Sequence, residues 1–103
     1  MSQLAFRALA DPTRRAIVMH LRGGDMTIAQ LSENFDMTRA AVKKHLTILA
    51  EAGLISTRPE GRERYNTFEP SGLGPIRDWI SDFDAFWDDR LDSLKTAIEK
   101  DTP

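Results

Sequence analysis

Cysteine is absent from the 103 residues, so the chain has no disulfide framework, no thiolate metal ligand and no cysteine nucleophile. Histidine occurs only at His20 and His45, which nearly rules out imidazole-rich zinc chemistry and leaves little for a catalytic triad. No apolar run approaches the ~18 residues of a membrane span, and residues 1–10 lack the apolar core of a signal peptide; the cytoplasm is the expected compartment. An excess of one charge is missing too, since 14 Lys and Arg stand against 16 Asp and Glu. What remains, 41% hydrophobic and 29% charged residues, is wrong for a disordered tail and ordinary for a globular domain. The length suits one domain, able to bury roughly two-thirds of the surface that its unfolded form exposes.

The near-neutral total hides a division. Residues 1–70 carry ten basic and eight acidic side chains, whereas residues 71–103 carry four and eight. Between residues 38 and 66 the basic set is Arg39, Lys43, Lys44, Arg58, Arg62 and Arg64, against Glu51, Glu60 and Glu63. A basic middle and an acidic C-terminal segment suggest two jobs on one small domain.

Helix signals punctuate the first half. Residues 1–10 read as a short helix whose apolar surface (Leu4, Ala5, Phe6, Ala8, Leu9) is too large for its length. Asp11-Pro12 opens a second helix as N-cap and first residue, with Ile17, Val18 and Leu21 as its stripe and Gly23-Gly24 as its stop. Thr27 and Gln30 have capping-box spacing for a third, with Ile28, Leu31 and Phe35 facing inward. After a connector at 34–37, Thr38 caps a fourth, which Met37 and Val42 staple, Leu46 and Leu49 continue and Gly53 ends. Residues 54–58 and 64–68 read as strands of a β-hairpin around a turn at 59–63. From about 71 to 100 the pattern predicts one long helix, its first turn made irregular by Gly72, Gly74 and Pro75, with Ile76, Ile80, Phe83, Trp87, Leu91, Leu94 and Ile98 on one stripe that Trp79 and Phe86 widen.

Two helices joined by a short connector and followed by a charged hairpin describe a winged helix-turn-helix: mainly α with a β-hairpin wing, in the order α-α-α-α-β-β-α. The physical logic lies in helix 38–51. Val42, Leu46 and Leu49 anchor one face, while Arg39, Ala40, Lys43, Lys44 and Thr47 occupy the opposite one. Arg39 and Ala40 stand at the N-terminal end, which in such motifs enters the major groove, and the three cations suit guanine edges or phosphate. A basic helix face alone is more often a solvated surface; its coupling to a preceding helix and a hairpin is what favours DNA. His45 reads as a hydrogen-bonded structural histidine, and His20 as a partly buried helix residue. Glu60 and Glu63 oppose phosphate at the wing tip, so the wing either binds weakly or docks through Arg62 and Arg64 alone, while Arg58 has Glu60 and Glu63 as equal candidates for an ion pair.

Leu9-Ala10-Asp11-Pro12-Thr13-Arg14, Thr38-Arg39-Ala40-Ala41-Val42-Lys43-Lys44-His45-Leu46, Glu51-Ala52-Gly53-Leu54-Ile55 and Gly61-Arg62-Glu63-Arg64-Tyr65 together resemble the ArsR family of bacterial repressors over about residues 4–98. The resemblance implies a homodimer built from the first and last helices, which binds an imperfect palindrome in double-stranded promoter DNA and represses transcription in the bacterial cytoplasm. By position, Thr38, Arg39, Ala40, Lys43 and Lys44 correspond to the family's major-groove residues, and Arg62 to its wing arginine. Many members sense metals through a Cys-x-Cys pair where this chain has Ile28-Ala29-Gln30-Leu31-Ser32, or through Asp/His pairs on the last helix. That helix carries Asp78, Asp82, Asp84, Asp88, Asp89 and Asp92 but no histidine, a solvated acidic face rather than a zinc site. Trp79, Phe83, Phe86, Trp87 and Arg90-Leu91 resemble instead a metal-independent branch, so neither metal nor cofactor is expected, and the effector, small molecule or protein, stays open.

Two further readings compete. A winged helix used only for protein–protein contact would need no basic face on helix 38–51. An enzyme would need a nucleophile–base set, paired carboxylates or a glycine-rich phosphate loop, and none is readable. The surplus apolar surfaces at the two ends of the chain, Leu4 and Phe6 at one and Trp79, Phe83, Phe86, Trp87, Leu91 and Leu94 at the other, suggest pairing about a two-fold axis.

Overall fold

Side-chain caps start three of the helices in the computed structural model, which describes residues 3–100. The first helix, α1 (Leu4–Leu9), begins inside the expected span, whose residues 1 and 2 lie outside the described ones. Asp11 caps α2 (Pro12–Arg22) by accepting from the N–H groups of Thr13 at 2.7 Å and Arg14 at 3.2 Å. Thr27 and Gln30 form the reciprocal box of α3 (Ile28–Phe35), each side chain accepting from the other's N–H at 3.2 and 2.9 Å. Thr38 caps α4 (Arg39–Glu51) through the Ala41 N–H. At its far end the N–H groups of Gly53 and Leu54 reach the carbonyls of Ala50 and Leu49, both at 3.0 Å. That closure needs a left-handed residue, and Gly53 supplies it at φ +76°.

The core forms where these helices meet: Ala8, Ile17, Val18 and Leu21, Leu31, then Val42, Leu46 and Leu49, roofed by Leu54 and Ile55. The turn between α3 and α4 is residues 36–38, tighter than the expected connector at 34–37. The Asn34 side chain donates to the Gln30 carbonyl at 2.7 Å, keeping α3 helical to Phe35, and Asp36 reverses the chain at φ 50°. His20, expected to be partly buried, is exposed, with its ring 4.8 Å from that of Phe35.

Strands β2 (Ile55–Glu60) and β3 (Glu63–Phe68) pair in register, Glu60 opposite Glu63, so the turn is Gly61-Arg62 and not residues 59–63. Glycine at the first of two loop positions, here at φ +65°, is what a type II′ hairpin requires. Pro59 is tolerated because β2 is an edge strand. A strand absent from the sequence reading, β1 (Met26–Thr27), pairs with the other side of β3 to give the order β1-β3-β2. Two residues are too few to show alternation.

The expected single C-terminal helix is three pieces: a 3-10 turn at Pro70–Leu73, α5 (Gly74–Ser81) and α6 (Asp84–Lys100). At the break the Phe83 N–H bonds to the Ile80 carbonyl, a tighter spacing, before Trp87 resumes the α pattern to Phe83. The apolar steps from Ile80 to Phe83 to Trp87 stay helical across it, which is why periodicity hid it. The described residues have a radius of gyration of 18.9 Å and span 66 × 33 × 21 Å. A compact 100-residue domain has about 13 Å, and every residue of α6 is exposed.

The start of the C-terminal segment rests on one close approach. A Cβ on Gly72 would lie 2.3 Å from the Gly53 carbonyl oxygen and 2.8 Å from the Leu54 Cα, both backbone, whereas one on Gly74 meets nothing within 4 Å. Gly72→Ala is expected to cost about 1–3 kcal/mol of stability and Gly74→Ala close to none, as read by urea denaturation.

Candidate nucleic-acid interface

Burial of Val42, Leu46 and Leu49 turns the other side of α4 outward, and the wing rises beside it. Between them runs a groove of about 620 Å³. Arg39, Lys43, Thr47 and Ala50 form its α4 wall; Thr57, Arg62, Arg64 and Asn66 form its wing wall; Thr27, Ile28 and Ala29, at the start of α3, complete the lining. Four of the expected DNA-binding cations, Arg39, Lys43, Arg62 and Arg64, thus share one groove, and all four are exposed. Glu51 and Glu63 line it as well, so two carboxylates face four cations. Thr38, Ala40 and Lys44 are exposed but lie outside this lining: Thr38 is engaged as the cap and Lys44 sits on the flank of α4.

Groove residues that sequence patterns do not reveal come from β1, the start of α3, the last turn of α4 and the wing. Asn66 is buried; its amide donates to the Met26 carbonyl at 3.2 Å and its oxygen accepts from the Thr57 hydroxyl at 3.3 Å, which fastens the wing to the segment before α3. An asparagine in the middle of a strand, where its kind is depleted, was the available signal.

On the opposite face of the wing stands Arg58. It pairs with Glu60 at 3.4 Å, one of its two expected partners, but also with Asp25, which the sequence reading did not consider. The same guanidinium donates to the Thr67 hydroxyl at 3.0 Å and lies 5.4 Å from the centre of the Tyr65 ring. A second arginine joins α1 to α4: Arg14 donates to the carbonyls of Ala8 at 2.6 Å and Arg7 at 3.2 Å, and its Nη1 lies 3.4 Å from His45 Nδ1. His45 is half-buried on α4, in the hydrogen-bonded structural role expected of it.

Away from the groove, α1, α5 and α6 carry aromatic side chains. Phe6 is half-buried and meets Trp79 edge to face at 6.1 Å, Trp79 meets Phe83 at 5.3 Å, and Phe86 meets Trp87 at 5.2 Å. Leu4, Trp79, Phe83, Phe86, Trp87, Leu91 and Leu94 are exposed in the single chain, from 41% at Phe83 to 62% at Leu91. Among the described residues the acidic side chains form no group of three that could hold a metal ion, and no helix is long and apolar enough to cross a membrane.

A helix-turn-helix whose second helix shares a basic groove with a hairpin wing defines a nucleic-acid-binding protein of the winged-helix class. Comparison with known proteins narrows this. Residues 11–57 match the family described as bacterial regulatory protein, arsR family. The chain is 37% identical over 97 residues to the HTH-type transcriptional regulator Rv2034 of Mycobacterium tuberculosis, covering 94% of this chain and 88% of that one. It is 36% identical over 78 residues to the transcriptional repressor SdpR of Bacillus subtilis, covering 76% and 87%. A crystal structure of an ArsR family transcriptional regulator, RHA00566, superposes with a TM-score of 0.75 at 34% identity, over 84% of this chain and 94% of that one. The chain belongs to the arsR family of bacterial regulatory proteins and is a DNA-binding transcriptional regulator, not an enzyme.

Two carboxylates tie the frame of this site to pH. The N–H of Arg14, helped by that of Thr13, holds the Asp11 carboxyl below its ordinary 3.8, and the hydrogen bond from Arg58, helped by the Thr67 hydroxyl, does the same for Asp25. A carboxyl whose pKa falls on folding stabilises the fold above its unfolded pKa, and that contribution is lost as pH drops through the folded value. Asp11→Asn and Asp25→Asn are therefore each expected to flatten the decline in stability between about pH 5 and 2, measured by denaturant unfolding across that range.

Proposed function

We propose that the protein is a homodimeric repressor that reads a pseudo-palindromic promoter site. The observation that carries this reading is the groove in which Arg39, Lys43, Arg62 and Arg64 converge from two separate elements. A basic helix face serving solvation alone has no need of a second basic wall. In this reading the first turn of α4 enters the major groove, where Arg39 and Lys43 reach base edges and the exposed Ala40 allows close approach to a thymine methyl group. Thr38 and Lys44 contact the backbone from either flank, and Arg62 and Arg64 follow the phosphates with the wing. That SdpR is a repressor supports repression over activation.

The whole chain forms one winged-helix domain whose terminal helices make the dimer seam. Leu4 and Phe6 on α1, Trp79 on α5, Phe83 at the break and Phe86, Trp87, Leu91 and Leu94 on α6 cover it. A two-fold axis through this seam sets two α4 helices about 34 Å apart, one turn of DNA. Burying a large apolar side chain contributes roughly 1.5–3 kcal/mol, so several from each protomer sustain an obligate dimer. No step requires a metal or cofactor, and such a protein acts in the bacterial cytoplasm on the nucleoid.

Replacing Arg39 or Lys43 by Ala should cost roughly 1–3 kcal/mol per half-site and relax base preference, whereas Arg62→Ala should weaken binding with little change of preference. A duplex recovered from a random library by the parent protein, titrated at fixed salt, measures both. If the Arg39 and Lys43 variants bound it like the parent, α4 would not be the reading helix.

Asp introduced at Trp87 or Phe83 would place an unpaired carboxylate in the seam, and the variants are expected to sediment as monomers. A folded dimer at micromolar concentration after both changes together would place the interface elsewhere.

A further inference from the structure

Resting on the DNA-binding reading, we propose that the Asp25–Arg58 ion pair is a brace: without touching DNA it holds the wing's groove-facing arginines, Arg62 and Arg64, at their working distance from α4. The base of the wing is anchored where β3 pairs with β1 and where the two strands pack on α2 and α4, but its outer part has little else to hold it. In the sheet β2 neighbours β3 alone, and every residue of β2 beyond Ile55 is exposed. Alternation along the strands divides the wing into two faces. Below the tip, where Arg62 and Glu63 both line the groove, Thr57, Arg64 and Asn66 line it while Arg58, Tyr65 and Thr67 do not.

On that rear face the Arg58 guanidinium leaves β2, passes the Tyr65 ring and the Thr67 hydroxyl on the central strand, and reaches Asp25 in the segment just before β1. It therefore ties the two outer strands together across the middle one. On the groove face Asn66 makes the matching link, from the Thr57 hydroxyl on β2 to the Met26 carbonyl on β1. One polar link on each face resists rolling of the hairpin about its long axis. Both links end on adjacent residues, Asp25 and Met26, and the next residue is the Thr27 cap of α3. The wing is thus referred directly to the helix-turn-helix.

Charge separates the brace from the DNA contacts. Asp25 and Glu60 compensate Arg58, whereas among the described residues neither Arg62 nor Arg64 forms an ion pair. Asp25→Asn keeps the shape of an exposed side chain and removes the charge that holds Arg58. If Arg58 were itself a phosphate ligand, this change would free it and leave binding equal or tighter. If it is a brace, binding weakens.

The probe is the duplex that the parent selects from a random library, titrated at fixed salt with parent, Asp25→Asn, Asp25→Glu, Arg62→Ala and the Asp25→Asn/Arg62→Ala double variant. Asp25→Asn should bind about tenfold more weakly, and Asp25→Glu, which keeps the carboxylate, within about threefold of the parent. The effect of Arg62→Ala should shrink from about tenfold in the parent to under about threefold in the Asp25→Asn background, because an unbraced wing no longer delivers that arginine. In the free protein, hydrogen exchange at the amides of residues 62–64 should quicken in Asp25→Asn while those of α4 stay unchanged. Equal or tighter binding by Asp25→Asn, losses that simply multiply, or unaltered exchange in the wing would each overturn the brace. The DNA-binding reading fails by a different result, unchanged affinity on replacing Arg39 and Lys43, and exchange in the free protein still decides the brace in that event.

Discussion

Burial of Val42, Leu46 and Leu49 on one side of α4 decides where every cation of that helix points. The three lie within 7% of full burial, among Ile17, Leu21, Leu31 and Leu54. With 3.6 residues to a turn, a helix held on that side must send Arg39, Lys43 and Thr47 away from the core. Rotating α4 to hide the charges would leave an unpaired ammonium or guanidinium in the core, at a cost far above that of exposing a leucine. The outward face is a consequence of packing, and the wing needs only to rise beside it to make a groove.

That logic explains which parts were legible in the sequence. Starts and stops written in side-chain chemistry could be read directly: Asp11-Pro12, the Thr27/Gln30 box, the Thr38 cap and the Gly53 closure are all local, and all occur as expected. Features made by partners distant in the chain could not. The strand β1 exists because Met26 and Thr27 meet Asn66 and Tyr65, some forty residues on. Sequence proximity offers Arg58 only Glu60 or Glu63, and the chain return that brings Asp25 to it is visible only in the fold. Pro59 and two glutamates look like loop residues, which makes the hairpin turn read longer in sequence than it is. An edge strand tolerates them, and Gly61 alone supplies the special backbone.

Of the expected contact residues, the groove collects those spaced by one α-helical turn, Arg39 and Lys43, and those at the wing tip, Arg62 and Arg64. Lys44, one residue further round α4, falls on the flank, because adjacent helical residues point about 100° apart. A net charge of −2 is compatible with this site because the charges are segregated. The acidic side chains of α6 lie on a helix of about 25 Å, none of whose residues lines the groove. Exposed charges beyond about 8–10 Å are largely screened at physiological salt, so the local four-to-two balance of cations governs an approaching phosphate.

The basic groove and the aromatic face are mechanically continuous. Arg14, only 15% exposed, donates to the carbonyl groups of Arg7 and Ala8 at the end of α1 and touches His45 on α4. Phe6 on the same α1 packs on Trp79 of α5. A path of direct contacts thus runs from the aromatic face at the C-terminal end, through α1 and one guanidinium, to the helix that carries Arg39 and Lys43. Close-packed elements transmit displacement because they have few voids in which to absorb it. In the proposed dimer the distance between two recognition helices would be set through the same short α1, which would give a six-residue helix a reason to carry more apolar surface than its own packing uses.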